Sequence, residues 1–358
     1  MTSLLPKSAS FAALLAVAPL LSGTAAFAVP AGGYGDLVED VAPAVVFIEV
    51  TGAVQNAQAL PEGMPPALLE RFGRQMPDPQ PQNGLGSGFI VSQDGQIVTN
   101  HHVISGAQSV QVTLADGTTY AAEIIGSDPA TDIALLRITA DVDLPFVTFG
   151  SSEEMRVGDE VVAMGSPFGL SATVTSGILS GKARDINSGP YDAFLQTDAA
   201  INRGNSGGPL FNNAGEVIGV NTAILSPGGG SVGIGFAVPS DMVRDIVADL
   251  SDDGRVTRGW LGVQIRPMSA EVAQVLGYDG AMGAVIEAVS PDSPAAAAGL
   301  EAGDIVLRFG DRQIKELRDL TGAVAATDPD AVARIAILRR GQEMTLDVVI
   351  GTLAPQKA

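Results

Sequence analysis

The chain carries two histidines, and they are neighbours, His101 and His102. Far downstream stands Gly204-Asn205-Ser206-Gly207-Gly208-Pro209, a glycine-rich setting that suits an exposed nucleophilic serine. A serine hydroxyl is a weak nucleophile at its own pKa, so acyl transfer needs an imidazole within hydrogen-bond reach and a carboxylate that fixes the imidazole tautomer. If Ser206 is catalytic, its base is His101 or His102.

The order of residues separates three unrelated scaffolds that can hold such a triad. Gly204-Asn205-Ser206-Gly207-Gly208 also fits the G-x-S-x-G elbow of α/β-hydrolases, but that fold places its histidine after the serine, and no histidine follows Ser206. A subtilisin-like order puts the carboxylate first on a parallel α/β scaffold, whereas the segments here read as antiparallel hairpins. The order His, Asp, Ser on a β-barrel protease remains. For the carboxylate, Asp132 opens the apolar run Ile133-Ala134-Leu135-Leu136 and is favoured over Asp128, which sits in Ser127-Asp128-Pro129 and reads as a turn. Asp198 lies too close to Ser206 in sequence to approach the imidazole from the far side and is read as structural support.

The hairpins are legible in their turns. Gly88 to Val91 and Gln96 to Thr99 flank Asp94-Gly95, Val110 to Leu114 precedes Asp116-Gly117, and Pro209-Leu210-Phe211 turns at Asn213-Ala214-Gly215 into Glu216 to Val220. Such short, evenly spaced strands predict a sandwich or barrel. An amphipathic helix follows, with Ser240 as N-cap and Val243, Ile246, Val247 and Leu250 on one face, and it closes the first domain.

Three strings together resemble the HtrA/Deg family of trypsin-like serine proteases. They are Thr99-Asn100-His101-His102-Val103, Asp128 to Leu135, and Gln196 through Leu210, and the similarity spans about residues 37 to 352. The family's T-N-x-H-V pattern implies that His102 is the base, and in a strand only one of two adjacent histidines can face the serine. The resemblance implies a mostly β chain, a two-barrel chymotrypsin-like protease domain followed by one β-rich PDZ domain with two helices. It further implies a His102, Asp132, Ser206 triad, with the N–H groups of Gly204 and Ser206 forming the oxyanion hole. The pocket for the residue before the scissile bond would be lined by Ala200, Ile201, Asn202 and Ile224. Ala200 stands where a trypsin carries its charge-selecting aspartate, so small or medium aliphatic residues are expected.

Asn205 precedes the serine where digestive relatives have an aspartate, so an ion pair to a freed N-terminal amine is excluded. By analogy the loops Ser166 to Leu170, Lys182 to Tyr191 and Leu225 to Gly233 would order the site, with Arg184 close to a regulatory loop arginine of the family. Residues 251–256 read as a linker and 257–353 as the PDZ domain, opened by Arg258-Gly259-Trp260-Leu261-Gly262-Val263. Amides around Leu261 and Gly262 would capture a C-terminal carboxylate, the next strand would pair with the peptide, and Trp260 reads as core packing. Residues 55–83, rich in Pro and Gln, match the family's protruding loop, and residues 65–72 could form a short helix there. A homotrimer through the protease domains is expected rather than a large cage, because one PDZ domain follows instead of two.

At the N-terminus Lys7, an apolar run from Phe11 to Leu21 and Ala26-Phe27-Ala28 read as a signal peptide over residues 1–28, with the protease domain over 29–250 and a tail over 354–358. The run is short of the roughly 20 residues a membrane span needs. A periplasmic enzyme without integral membrane association is therefore expected, an uncleaved anchor being the alternative. The chain has no cysteine and a net charge of −20, which argues against disulfides, thiolate metal sites and nucleic-acid partners. No cofactor is expected, and two histidines without metal-ligand spacing argue against zinc. The expected activity is ATP-independent cleavage of misfolded or unfolded exported polypeptides, regulated by C-terminal tails on the PDZ domain. The alternative is a chaperone or stress-sensing peptide binder whose protease is latent.

Overall fold

Turn residues between short β-prone runs fold the described residues between Val45 and Pro239 into antiparallel hairpins that close on themselves twice. The computed structural model describes residues 33–52, 83–167, 172–186, 188–202, 204–226, 230–269, 271, 273–274 and 282–354. The segment read as a signal peptide, the protruding loop apart from Asn83 and the tail after Ala354 lie outside them. So does part of each of the three loops read as ordering the site.

The first barrel holds β1 (Val45–Gly52), β2 (Asn83–Ile90), β3 (Gln96–Thr99), β4 (Ala107–Thr113), β5 (Thr119–Asp128) and β6 (Ile133–Ile138), closed in the order β1-β2-β3-β6-β5-β4. The second holds β7 (Glu160–Gly165), β8 (Thr173–Arg184), β9 (Phe194–Thr197), β10 (Pro209–Phe211), β11 (Val217–Ile224) and β12 (Gly235–Pro239), closed as β10-β11-β12-β9-β8-β7. Closure leaves neither sheet with an open edge. The expected hairpins are present: Phe89 pairs with Val98, Val112 with Tyr120 and Pro209 with Val220. Gly95 makes the first of these turns at φ +92°, where a Cβ would strike the Ile138 carbonyl.

An apolar core joins both barrels, from Ile48, Phe89 and Leu135 to Phe211 and Val220, and on to Val243, Ile246 and Leu250 of the closing helix, while a second cluster around Leu179, Leu195, Leu210 and Ile218 lies within the second barrel. That helix spans Ser240–Asp253 and departs from expectation at both ends. Ser240 does not cap it, because its hydroxyl donates to the Gly150 carbonyl at 2.8 Å. At the other end the helix runs through Ser251-Asp252-Asp253, read as linker, because Gly254 terminates it in the left-handed region at φ +77°.

The PDZ domain has its own core around Ile286, Val306, Ile335, Ile337 and Val348. Its strands are β13 (Gly259–Trp260), β14 (Val263–Pro267), β15 (Ala284–Val289), β16 (Ile305–Phe309), β17 (Arg312–Gln313), β18 (Val332–Arg339), β19 (Gln342–Val349) and β20 (Gly351–Thr352). The main sheet is ordered β14-β15-β16-β18-β19, with helices at Pro294–Ala297 and Leu317–Ala325. Where the domains meet, both nitrogens of the Arg258 fork hold the Asp128 carboxylate, and the guanidinium lies 4.5 Å over the Tyr191 ring. Asp128 is thus no turn residue: it ends β5 and is buried beneath this pair.

Candidate active site

Asn100, His101 and His102 lie not in a strand, as the alternation argument supposed, but at the start of a helical turn, His101–Ile104. The turn itself separates the two imidazoles: the Nδ1 of His101 reaches the Ser127 hydroxyl at 3.0 Å, and that of His102 faces the Asp132 carboxylate. Asp132 immediately precedes β6 in a left-handed conformation, φ +60°, which aspartate tolerates and β-branched residues do not. That backbone turn points both ends of the residue at the same segment. The Asp132 carbonyl accepts from the Asn100 side-chain amide at 2.9 Å and the His101 N–H at 3.1 Å. Its carboxylate accepts from the His102 N–H at 2.9 Å and lies 2.7 Å from His102 Nδ1.

A group that the sequence reading missed completes this arrangement. Thr222, on β11 of the second barrel, donates its hydroxyl to Asp132 Oδ2 at 2.5 Å. Its only signal in sequence is a hydroxyl two residues before Ile224, on the strand that follows the Ser206 loop. Burial would raise the Asp132 carboxyl, but the hydrogen bonds from His102 and Thr222 and the charge of the imidazole outweigh it and hold the carboxyl below its usual range. With Nδ1 engaged by the carboxylate, Nε2 of His102 is the nitrogen left to serve as base.

Ser206 sits half-buried on a loop stitched into this seam. Its carbonyl accepts from the Ser87 N–H of β2 at 2.9 Å, and the Gly207 N–H donates to the Asn221 carbonyl, next to Thr222, at 2.8 Å. Gly207 has φ +83°, and a Cβ there would collide with the Ser87 carbonyl and Thr99 hydroxyl and stand 3.2 Å from the Asn100 nitrogen. The serine loop of the second barrel therefore abuts the segment of the first that carries His102.

The expected pocket residues gather beside this loop. Ile201 is buried against Gly235, which pairs with Ile224, while the Ala200 carbonyl accepts from the Thr175 hydroxyl at 3.0 Å and from the Asn205 amide at 3.3 Å. Asn202 is exposed, and its side chain accepts from the Ser231 N–H. Asp198 accepts from the Ile178 N–H at 2.7 Å. Arg184 lies apart from this cluster, at the end of β8, with Nε bonded to the Gln196 side chain at 2.9 Å. Leu261 and Gly262 belong to the PDZ domain, the former with its side chain in that core, the latter at φ +81° with Trp260 and Ser293 packed around it. Among the described residues no cluster of His, Asp and Glu is placed to hold a metal.

Residues 86–220 match the trypsin-like peptidase domain family and residues 259–350 the PDZ domain family. A Brucella suis protein named "Probable periplasmic serine endoprotease DegP-like" is 42% identical over 363 residues, covering 92% of this chain and 70% of its own length. Its namesake from Halomonas elongata is 43% identical, covering 93% of this chain and 73% of its own. The chain belongs to the HtrA family of serine endoproteases. The solved HtrA-type protease AlgW with a tripeptide superposes with a TM-score of 0.76 at 38% identity, covering 90% of this chain and 98% of that one. A serine endoprotease from Yersinia pestis gives 0.63 at 34% identity, covering 91% of this chain and all of that one. As an HtrA-type enzyme, this chain is a serine endopeptidase that works through a Ser-His-Asp triad.

Proposed function

We propose that His102, Asp132 and Ser206 are the triad of this endopeptidase and that it degrades unfolded exported polypeptides in the periplasm without ATP. The observation that carries this is the Asp132 carboxylate, bonded at once to the His102 imidazole and to Thr222 from the barrel that bears Ser206. His102 takes the Ser206 proton as the hydroxyl attacks the scissile carbonyl, then gives it to the leaving amine, while Asp132 holds the ring and stabilises the imidazolium. The N–H groups of Gly204 and Ser206 stabilise the tetrahedral oxyanion.

Ala200, Ile201, Asn202 and Ile224 form a pocket for small or medium aliphatic side chains, a reading supported by the buried Ile201 and by the absence of an acidic group among these four. C-terminal tails add to the PDZ sheet along β14, an edge strand of its sheet beside the helix Leu317–Ala325, with the Leu261 and Gly262 amides taking the carboxylate. Arg184 belongs to the route by which tail binding reaches the protease, and the working assembly is a homotrimer. The periplasmic setting rests on the relatives' names and on the N-terminal sequence. Among the described residues no helix is long and apolar enough to cross a membrane.

The test is casein degradation by the purified protein, with and without a peptide ending in a free aliphatic carboxylate. Cleavage that rises on peptide addition supports protease and regulator together. Cleavage by Ser206→Ala would overturn the triad, and mainly basic residues before the mapped scissile bonds would overturn the pocket.

A further inference from the structure

The run Gly84-Leu85-Gly86-Ser87-Gly88 has no part in the triad, yet it places a doubly bonded hydroxyl at the seam. Ser87 lies in β2 of the first barrel and is fully buried. Its Oγ accepts from the Ser166 N–H at 2.7 Å and donates to the Gly204 carbonyl at 2.5 Å, and its own N–H donates to the Ser206 carbonyl at 2.9 Å. One residue thus ties down the peptide planes that follow Gly204 and Ser206. Between those planes lies the peptide that carries the Ser206 N–H. Gly204 itself, at φ +102°, is pressed against Pro167, where a Cβ would come within 2.6 Å of the proline Cβ, and Pro167 follows the Ser166 that Ser87 also holds. Gly165 keeps this corner open, since a Cβ there would lie 3.0 Å from Ser87 Oγ and 2.8 Å from the Asn205 Cα.

We propose that Ser87 is a positioning residue for the oxyanion hole: its hydroxyl, bridging the Gly204 carbonyl to the Ser166 amide, and its N–H, donated to the Ser206 carbonyl, fix from both sides the peptide that carries the Ser206 N–H donor. It touches no reacting atom and acts through the loop it holds. A glycine-rich loop samples several peptide orientations, and donors stabilise a developing oxyanion only when already aimed at it. The inference rests on the proposed roles of Gly204 and Ser206.

The experiment compares Ser87→Ala with Ser240→Ala in the full-length protein. Ser240 is an equally buried hydroxyl that also bridges an N–H, that of Ser152, to a carbonyl, that of Gly150, but at the foot of the closing helix. Readouts are Tm, kcat and KM on a chromogenic peptide, and affinity for a peptide boronic acid, whose tetrahedral adduct reports oxyanion binding. Losing a direct donor lowers kcat about 100- to 1,000-fold, so Ser87→Ala is expected to lower kcat and boronate affinity together by about 10- to 100-fold, with KM within threefold. Ser240→Ala is expected to lower Tm and leave both unchanged. Ser87→Cys, close in shape with a weaker donor, is expected to fall between and keeps the test open if the alanine variant folds poorly.

Boronate affinity within twofold of the parent in folded Ser87 variants, or an equal loss in Ser240→Ala, overturns the proposal. Failure of the underlying reading looks different: activity would survive Ser206→Ala.

Discussion

The two barrels bring their shares of the site into place by different means. In the first, His102 and Asp132 are bound to each other within one barrel, through a helical turn, a left-handed aspartate and bonds from both ends of that aspartate to residues 100–102. In the second, Ser206 rides a glycine-rich loop whose carbonyls are gripped by Ser87 from across the seam. His102 and Asp132 are a preformed unit, whereas Ser206 and the N–H groups of its loop depend on the fit between barrels. Anything that shifts the seam therefore acts first on the serine loop. The Thr222 hydroxyl is the reciprocal bond, from the second barrel to the first.

Substitutions can break this contrast, beginning with the largest effect. His102→Ala removes the proposed base and is expected to lower kcat by about a million-fold on a peptide substrate, with the fold retained by circular dichroism. Asp132→Asn leaves the shape but holds the imidazole in the wrong tautomer, and a drop of about 10,000-fold is expected, the size of the equivalent change in a Ser-His-Asp triad. A loss under tenfold in either would mean that the first barrel does not supply the catalytic unit.

A third substitution tests the junction rather than the seam. Arg258→Ala leaves the Asp128 carboxylate buried without its cation, in a pair whose side chains are only 13% and 6% exposed. Breaking such a pair destabilises by about 3 to 5 kcal/mol, so the protease domain's melting transition should fall by several degrees in calorimetry. An unchanged transition would mean that the clamp contributes nothing to the protease domain.

The smallest effect sharpens the comparison most. Thr222→Val removes one of the bonds that lower the Asp132 carboxyl, so its pKa rises while the His102 contact stays, and kcat should fall about tenfold, of the order of one hydrogen bond to a charged group. A carboxyl whose folded pKa is lowered stabilises the fold above its unfolded value near 3.9 and loses that contribution as pH falls through the folded value. In Thr222→Val the folded value is higher, so acid unfolding should set in at higher pH than in the parent. Unchanged acid unfolding would mean that the cross-barrel bond is idle.

Much of this could be read from the chain. Hairpins were legible because Asp94-Gly95, Asp116-Gly117 and Asn213-Ala214-Gly215 punctuate β-prone runs, and local turn chemistry sets such pairs. Residue order left His101 and His102 open, the apolar run after Asp132 favoured that carboxylate, and only the family's T-N-x-H-V pattern singled out His102; the geometry was not foreseen, because alternation in a strand was assumed where a helical turn exists, a short polar segment having no periodicity to read. Thr222 and Ser87 escaped because isolated hydroxyls carry no signal of the partner they meet across a seam, Ser87 reaching a carbonyl 117 residues away. Asp128 escaped for the same reason, its partner Arg258 being 130 residues on. Ser240 looked like a cap because the local rule knows nothing of Gly150.

The central claim, one nucleophile on the second barrel armed by a base on the first, is most directly tested by covalent labelling. The protein would be treated with a fluorophosphonate and its modified peptides mapped by mass spectrometry, in the parent and in His102→Ala. A single adduct on Ser206 that disappears in His102→Ala is the predicted result. An adduct on another residue, or labelling of Ser206 at an undiminished rate without His102, would contradict it.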